Sequence, residues 1–188
     1  MDAYGNTVVG YKGKAKFTST DVQAGLPAVY SFSAADAGVH TFTVALKMAT
    51  PNGVVWSFSV VDAANAATLA TLTNFETINA AATKFVLSVP SNITAGTPFT
   101  VKLTVLDAYG NGVQNYFGTV RLGNTAGIAG LPANYAFNSL DRGVHSFTLT
   151  LTTTGNQTLS VTDLGNALLS ASSAVSVKAA ATGGGKKV

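Results

Sequence analysis

Few side chains in this sequence have chemistry to offer, and most of those few occur twice. The two histidines stand in matching heptapeptides, Asp36-Ala37-Gly38-Val39-His40-Thr41-Phe42 and Asp141-Arg142-Gly143-Val144-His145-Ser146-Phe147. A histidine acts as a metal ligand or a general base when further ligands or partners converge on it. Neither histidine has a second His or a Cys near it in sequence. Parity along the strand places His145 on the same face as Phe147, Leu149 and Leu151, pointing inward at a rim. His40 and His145, with Asp36 and Asp141, are therefore expected to be structural corner residues that hydrogen-bond the backbone of the preceding turn.

The remaining acids are scattered. Asp2, Asp62 and Asp36 have counterparts in Asp107, Asp163 and Asp141, which makes Asp2, Asp107 and Asp163 the calcium candidates. Calcium takes six to eight oxygens, usually from closely spaced carboxylates. Here each acid stands alone before a Gly- or Asn-containing turn, where Asp ordinarily caps the turn through its own side chain. No metal and no cofactor is expected. Glu76 is the only glutamate, and the sequence has no GxSxG elbow, no HExxH pair and no phosphate-binding glycine loop, so no catalytic residue is assigned. A Lys to Asn isopeptide crosslink would need a buried lysine, but Lys102 lies on the polar parity of its strand. The aromatic candidates for ligand contact are Tyr11, Tyr116 and Phe117, since flat rings stack on sugars.

What positions these residues is a repeat. Asp2-Ala3-Tyr4-Gly5-Asn6 recurs as Asp107-Ala108-Tyr109-Gly110-Asn111, and the match runs at a constant spacing of 105 residues to Leu46 and Leu151. The spacing then falls to 101, where Val60 and Asp62 meet Val161 and Asp163, so the first copy carries an insertion in the turn around Ala49 to Gly53. Within each copy apolar residues alternate with hydroxyl-bearing ones, as in Phe99, Val101, Leu103 and Val105, so the elements are strands with one wet face. Turn residues punctuate them at the rhythm of a β-sandwich.

The second copy supplies seven strands between Lys84 and Lys178, and the first begins only at its Asp-Ala-Tyr-Gly-Asn turn. The expected organisation is an incomplete repeat over 1–77, a linker over 78–83, a complete repeat over 84–179 and a flexible tail over 180–188. The fold class is all-β, two tandem immunoglobulin-like antiparallel sandwiches, the first lacking its first two strands. That gap leaves the inner face of the first copy under-covered. It arises either from a boundary cut through a repeat or from strand donation by another copy.

Composition narrows the function classes. Of the 188 residues 47% are hydrophobic and only 10% charged, with no cysteine. A core is within reach, and a disulfide framework and a thiolate metal site are excluded. A net charge of +3, with two of the lysines in the tail, is no nucleic-acid footprint, and no apolar run is long enough for a membrane helix.

The string Leu106-Asp107-Ala108-Tyr109-Gly110-Asn111, the following Gly118-Thr119-Val120, Leu131-Pro132-Ala133-x-Tyr135-x-Phe137 and Asp141-x-Gly143-Val144-His145-x-Phe147-Thr148 resembles the bacterial immunoglobulin-like repeats of very large surface proteins, distantly similar to invasin and intimin stalk domains. The heptapeptide itself resembles the corner before strand F of immunoglobulin domains, with His in place of the corner Tyr and Phe in place of the core Cys. The resemblance implies an extracellular or cell-surface location and tandem packing with neighbouring repeats of a parent chain. It also implies a non-catalytic spacing or adhesion role. A carbohydrate- or protein-binding module, with a glycan or host protein as partner, is the alternative. No nucleic acid and no membrane insertion are expected.

Overall fold

The computed structural model describes residues 1–50, 55–127 and 129–180. Of the insertion expected around Ala49 to Gly53, Pro51 to Gly53 lie outside the described residues, as does the expected tail beyond residue 180. The chain divides into two compact units, Met1–Ile78 and Asn79–Val188. Strands β1 (Lys14–Ser19), β2 (Tyr30–Ser31), β3 (Trp56–Asp62) and β4 (Thr68–Phe75) belong to the first. The second holds β5 (Ala82–Ser88), β6 (Asn92–Thr94), β7 (Phe99–Asp107), β8 (Thr119–Asn124), β9 (Tyr135–Ala136), β10 (Val144–Leu149), β11 (Gly155–Asp163) and β12 (Ser170–Lys178).

The second unit is a two-layer sandwich. One sheet has the order β10-β7-β5 and the other β6-β12-β11-β8-β9. Every second residue of β7 points inward: Val101, Leu103 and Val105 are fully buried, while Thr100 and Lys102 face solvent. They meet Val120, Leu122, Leu159 and Val161 of the opposite sheet in one buried cluster. Fully burying an aliphatic side chain of this kind contributes about 1.5–3 kcal/mol, which is what holds the two layers together. The seven strands expected from the alternation are all present, and β6 is an eighth, paired parallel to β12.

The histidine corner sits elsewhere than its resemblance to immunoglobulin domains implied. It precedes β10, which pairs with β7 in the three-stranded sheet, the position of strand E. The strand in the F position is β11, flanked by β8 and β12. A seven-residue motif describes a turn, whereas strand identity is set by ladder partners distant in sequence.

The expected linker also changes. Ala80 N–H donates to Asp107 Oδ2 at 2.9 Å, Asn79 Nδ2 donates to Asn115 Oδ1 at 2.9 Å, and β5 already starts at Ala82. Of residues 78–83 only Ile78 stands outside the second unit, because the buried Asp107 carboxylate draws the incoming backbone onto itself.

The first unit has a single sheet among its described residues, ordered β2-β1-β3-β4, and these strands match β9, β8, β11 and β12. Residues 39–44, which match β10 residue for residue, form no ladder, and beside them an isolated bridge joins Gly25 and Ala45. The cause is the missing counterpart of β7: without that backbone the segment has nothing to pair with. Absence of two strands therefore removes a whole layer. Val8 is 41% exposed where its counterpart Val113 is 3%, and Ala15 and Phe17 are the only buried apolar residues described in this unit.

Candidate functional site

The recurring polar residues converge on two places in each unit. The first is the histidine corner. In the second unit Asp141 accepts hydrogen bonds from the Tyr135 hydroxyl at 2.9 and 3.0 Å and from Asn138 N–H at 2.8 Å, and its Oδ1 lies 2.8 Å from His145 Nδ1. The His145 ring stacks on Tyr135 with centroids 3.7 Å apart. The first unit repeats this with Tyr30, Asp36, Ser33 and His40: Tyr30 donates to Asp36 at 2.6 Å, His40 Nδ1 stands 3.0 Å away, and the rings stack at 4.0 Å. His40 and His145 therefore partner a carboxylate side chain rather than the backbone expected from the sequence.

Local backbone makes the corner. Arg142 and Ala37 adopt left-handed conformations at φ 46° and 47°, followed by Gly143 and Gly38 at φ 75° and 78°. A Cβ on either glycine would fall against the carbonyl of Val113 or Val8, so the Gly of Asp-x-Gly is required by close approach. Burial pushes Asp141 up, yet the donors from Asn138, His145 and Tyr135 outweigh it and hold the carboxyl below its ordinary range. Asp36 is held well below that range chiefly by the Tyr30 hydroxyl and then by Ser33. Burial and then the Asp141 bond raise Tyr135. The carboxylate is saturated by turn donors and serves as the clasp of the corner. Ser33 Oγ donates to Asp36 rather than to His40.

The second place is the Asp-Ala-Tyr-Gly-Asn turn with the tyrosine after it. Asp107 is buried and accepts from Tyr109 N–H, Asn111 N–H, Asn111 Nδ2 and Ala80 N–H at 2.8–2.9 Å. Burial raises this carboxyl, and the Asn111 and Ala80 donors more than offset the rise. Asp2 repeats the turn at the surface, accepting from Tyr4 N–H, Asn6 N–H and Asn6 Nδ2. Asp163 accepts from Gly165 N–H at 2.6 Å, Asn166 N–H at 3.1 Å and the Tyr116 hydroxyl. The three calcium candidates thus cap separate turns, and among the described residues no three His, Asp or Glu gather into a metal-binding group.

Tyr116 is buried between Phe85 and Phe137, with ring centroids at 5.7 and 5.0 Å, so it is a core residue and offers no face to a sugar. Burial first, and the Asp163 bond second, push its hydroxyl far up. Tyr11 keeps the ring position against Phe32 but not the bond: its hydroxyl is buried without a partner, while Asp62 turns to Ala64 N–H at 2.7 Å. Phe117, at 62% exposed, is the one of the three with an open face. Its counterpart in the first copy is Lys12.

Sequence reasoning passed over Asp21. It is buried, and it accepts from Gln23 N–H at 2.8 Å and from Lys47 and Met48 N–H at 2.7 and 3.1 Å, pinning a segment 26 residues away. Its counterpart is Ala126, so only an Asp-x-Gln turn signal pointed to it. The first unit also leaves an apolar cavity of about 370 Å³, lined by Val8, Tyr11, Phe17, Phe32, Phe42 and Val60 among others.

No protein-family model matches the sequence, and no curated protein matches it. Among solved structures the chain is similar to the D0-D1 domain of intimin, at 15% identity over 89% of this chain and 82% of that one, with a TM-score of 0.37. It is also similar to a β-glycosidase from Bacteroides vulgatus, at 10% identity over 88% of this chain and 21% of the other, TM-score 0.44. A third similarity is to a superoxide reductase (neelaredoxin) from Ignicoccus hospitalis, at 16% identity over 52% and 82%, TM-score 0.37. Likenesses this loose bear on no function.

Proposed function

We propose that the chain is a non-catalytic structural segment, a spacer or adhesion repeat of an extracellular bacterial protein built from tandem immunoglobulin-like modules. The observation that carries this reading is where the recurring polar residues spend their bonds. In both units the Asp carboxylates are occupied by turn N–H groups and by the Tyr and His beside them. Repetition of a clasp serves a module that must fold the same way many times. Among the described residues no helix is long and apolar enough to cross a membrane, which leaves β-barrels unaddressed. Neighbouring repeats of the same parent chain are the natural partners.

The second reading is a carbohydrate- or protein-binding module, favoured by the exposed ring of Phe117, next to the buried Tyr116 in sequence. A glycan array with the full chain separates the two. The spacer reading expects no retention on any saccharide; retention lost on Phe117→Ala replaces it with the binding reading.

A further inference from the structure

We propose that Asn111 is a modification site, an asparagine that converts spontaneously to aspartate and isoaspartate when its turn opens, and that the converted turn no longer closes as before.

The chemistry begins with the residue that follows. Asn111 precedes Gly112, and the attack that closes a succinimide ring comes from the next residue's backbone nitrogen. Glycine leaves that nitrogen unshielded, whereas the matching pair of the first copy is Asn6-Thr7, with a branched Cβ beside it. The fold does not ask for a glycine at 112. Its φ lies outside the left-handed region, and a Cβ built on it would meet nothing within 4 Å. Its N–H stands outside the ladder, since the bridge to Leu106 is closed by Asp107 N–H to Asn111 O and Val113 N–H to Val105 O, both at 2.9 Å. Gly112 is also exposed, so water reaches the site.

The step needs water and neither oxidant nor reductant. Gly112 N forms a bond to Asn111 Cγ as the Cγ–Nδ2 bond breaks, and ammonia leaves with the proton that Gly112 N gives up. Water then opens the ring at either carbonyl. The product is aspartate or, with the side-chain methylene drawn into the main chain, isoaspartate.

The closed turn opposes ring formation. Asp107 Oδ1 accepts Asn111 N–H at 2.9 Å and Oδ2 accepts Asn111 Nδ2 at 2.8 Å, while Asn111 O is held by Asp107 N–H. Backbone and side chain of Asn111 are thus pinned to one residue, and Cγ swings to the Gly112 nitrogen only when these bonds open together. Conversion therefore draws on the opened turn.

The product opposes closing. Asp107 is 2% exposed, and its Oδ2 takes donors from both Asn111 Nδ2 and Ala80 N–H. A carboxylate at 111 withdraws one of them and sets a second negative charge against a buried one, which burial makes costly. Isoaspartate also lengthens the chain ahead of Val113, which is 3% exposed and whose carbonyl lies where Gly143 of the histidine corner approaches most closely. Opening is reversible until conversion, and conversion makes it one-way.

The test incubates the full chain in mildly alkaline buffer with and without urea. Peptide mapping follows residue 111 apart from the other Asn-Gly pair, Asn52-Gly53. We expect aspartate and isoaspartate at 111 to accumulate in urea, and at least about tenfold more slowly without it. Asn6 should convert at least about tenfold more slowly than Asn111 in urea, because Thr7 follows it. Gly112→Ala should suppress conversion in urea and leave the thermal unfolding of the second unit unmoved. Asn111→Asp should lower that unfolding temperature further than Asn111→Ala, which removes the donor without adding a charge. Failure of Asn111→Asp to fold where Asn111→Ala folds is the same result in its extreme form. Equal conversion with and without urea overturns the proposal, as does an unconverted Asn111 in urea. Asn111→Asp as stable as Asn111→Ala overturns it too.

Discussion

Tyr11 and Tyr116 are the same residue of the repeat in two states, and they allow a paired experiment. Tyr116→Phe removes a donor from buried Asp163 and should destabilise the second unit by about 1–2 kcal/mol. Tyr11→Phe removes a buried hydroxyl that has no partner, so it should be neutral or slightly stabilising. Unit-resolved hydrogen exchange in urea measures both; a loss at Tyr11 equal to that at Tyr116 would contradict the difference in bonding. Asp107 supplies a pH test. Its folded carboxyl lies below the ordinary range, so its stabilisation is fully present above the unfolded value of about 3.9. It drains away as pH falls through the lowered folded value. Asp107→Asn should cost stability at neutral pH, by about 1–3 kcal/mol, and flatten the acid limb of the stability profile. Chemical denaturation at a series of pH values reads both effects.

At the scale of elements, β10 and its counterpart show what a strand needs besides a sequence. Val144–Leu149 and residues 39–44 share the alternation of apolar and hydroxyl residues, and only the first is a strand. Alternation makes an amphipathic edge, while the ladder bonds come from β7. We expect amides 41–44 to exchange at least tenfold faster than amides 146–149. Equal protection would mean that the first copy closes its second layer unaided. The corner before each segment forms regardless, because its bonds from Tyr, Asp and His lie within ten residues and need no partner strand.

For the molecule as a whole, the two units differ in how much core they own. Eighteen buried apolar residues form the cluster of the second unit, against Ala15 and Phe17 among those described in the first. Calorimetry should therefore show two transitions, the lower from the first unit. Leu103→Ala should move only the upper one, with a cost of about 2–5 kcal/mol. Millimolar calcium should move neither, since Asp2, Asp107 and Asp163 already receive turn N–H donors. A calcium-dependent rise of either transition would restore the ion as a ligand.

The sequence by itself determined the class of fold, the repeat and the turns. Alternation along Phe99 to Val105 decides which face is buried whatever it packs against, and Asp-x-Gly fixes a corner through bonds that stay local. Two things were left for the tertiary structure. The burial of Tyr116 depends on Phe85 from a distant strand. The missing layer of the first unit depends on a ladder that one strand cannot make alone. Pattern is a property of a segment and can be read from it, but burial and pairing are properties of two segments, and the second segment is visible only in the fold.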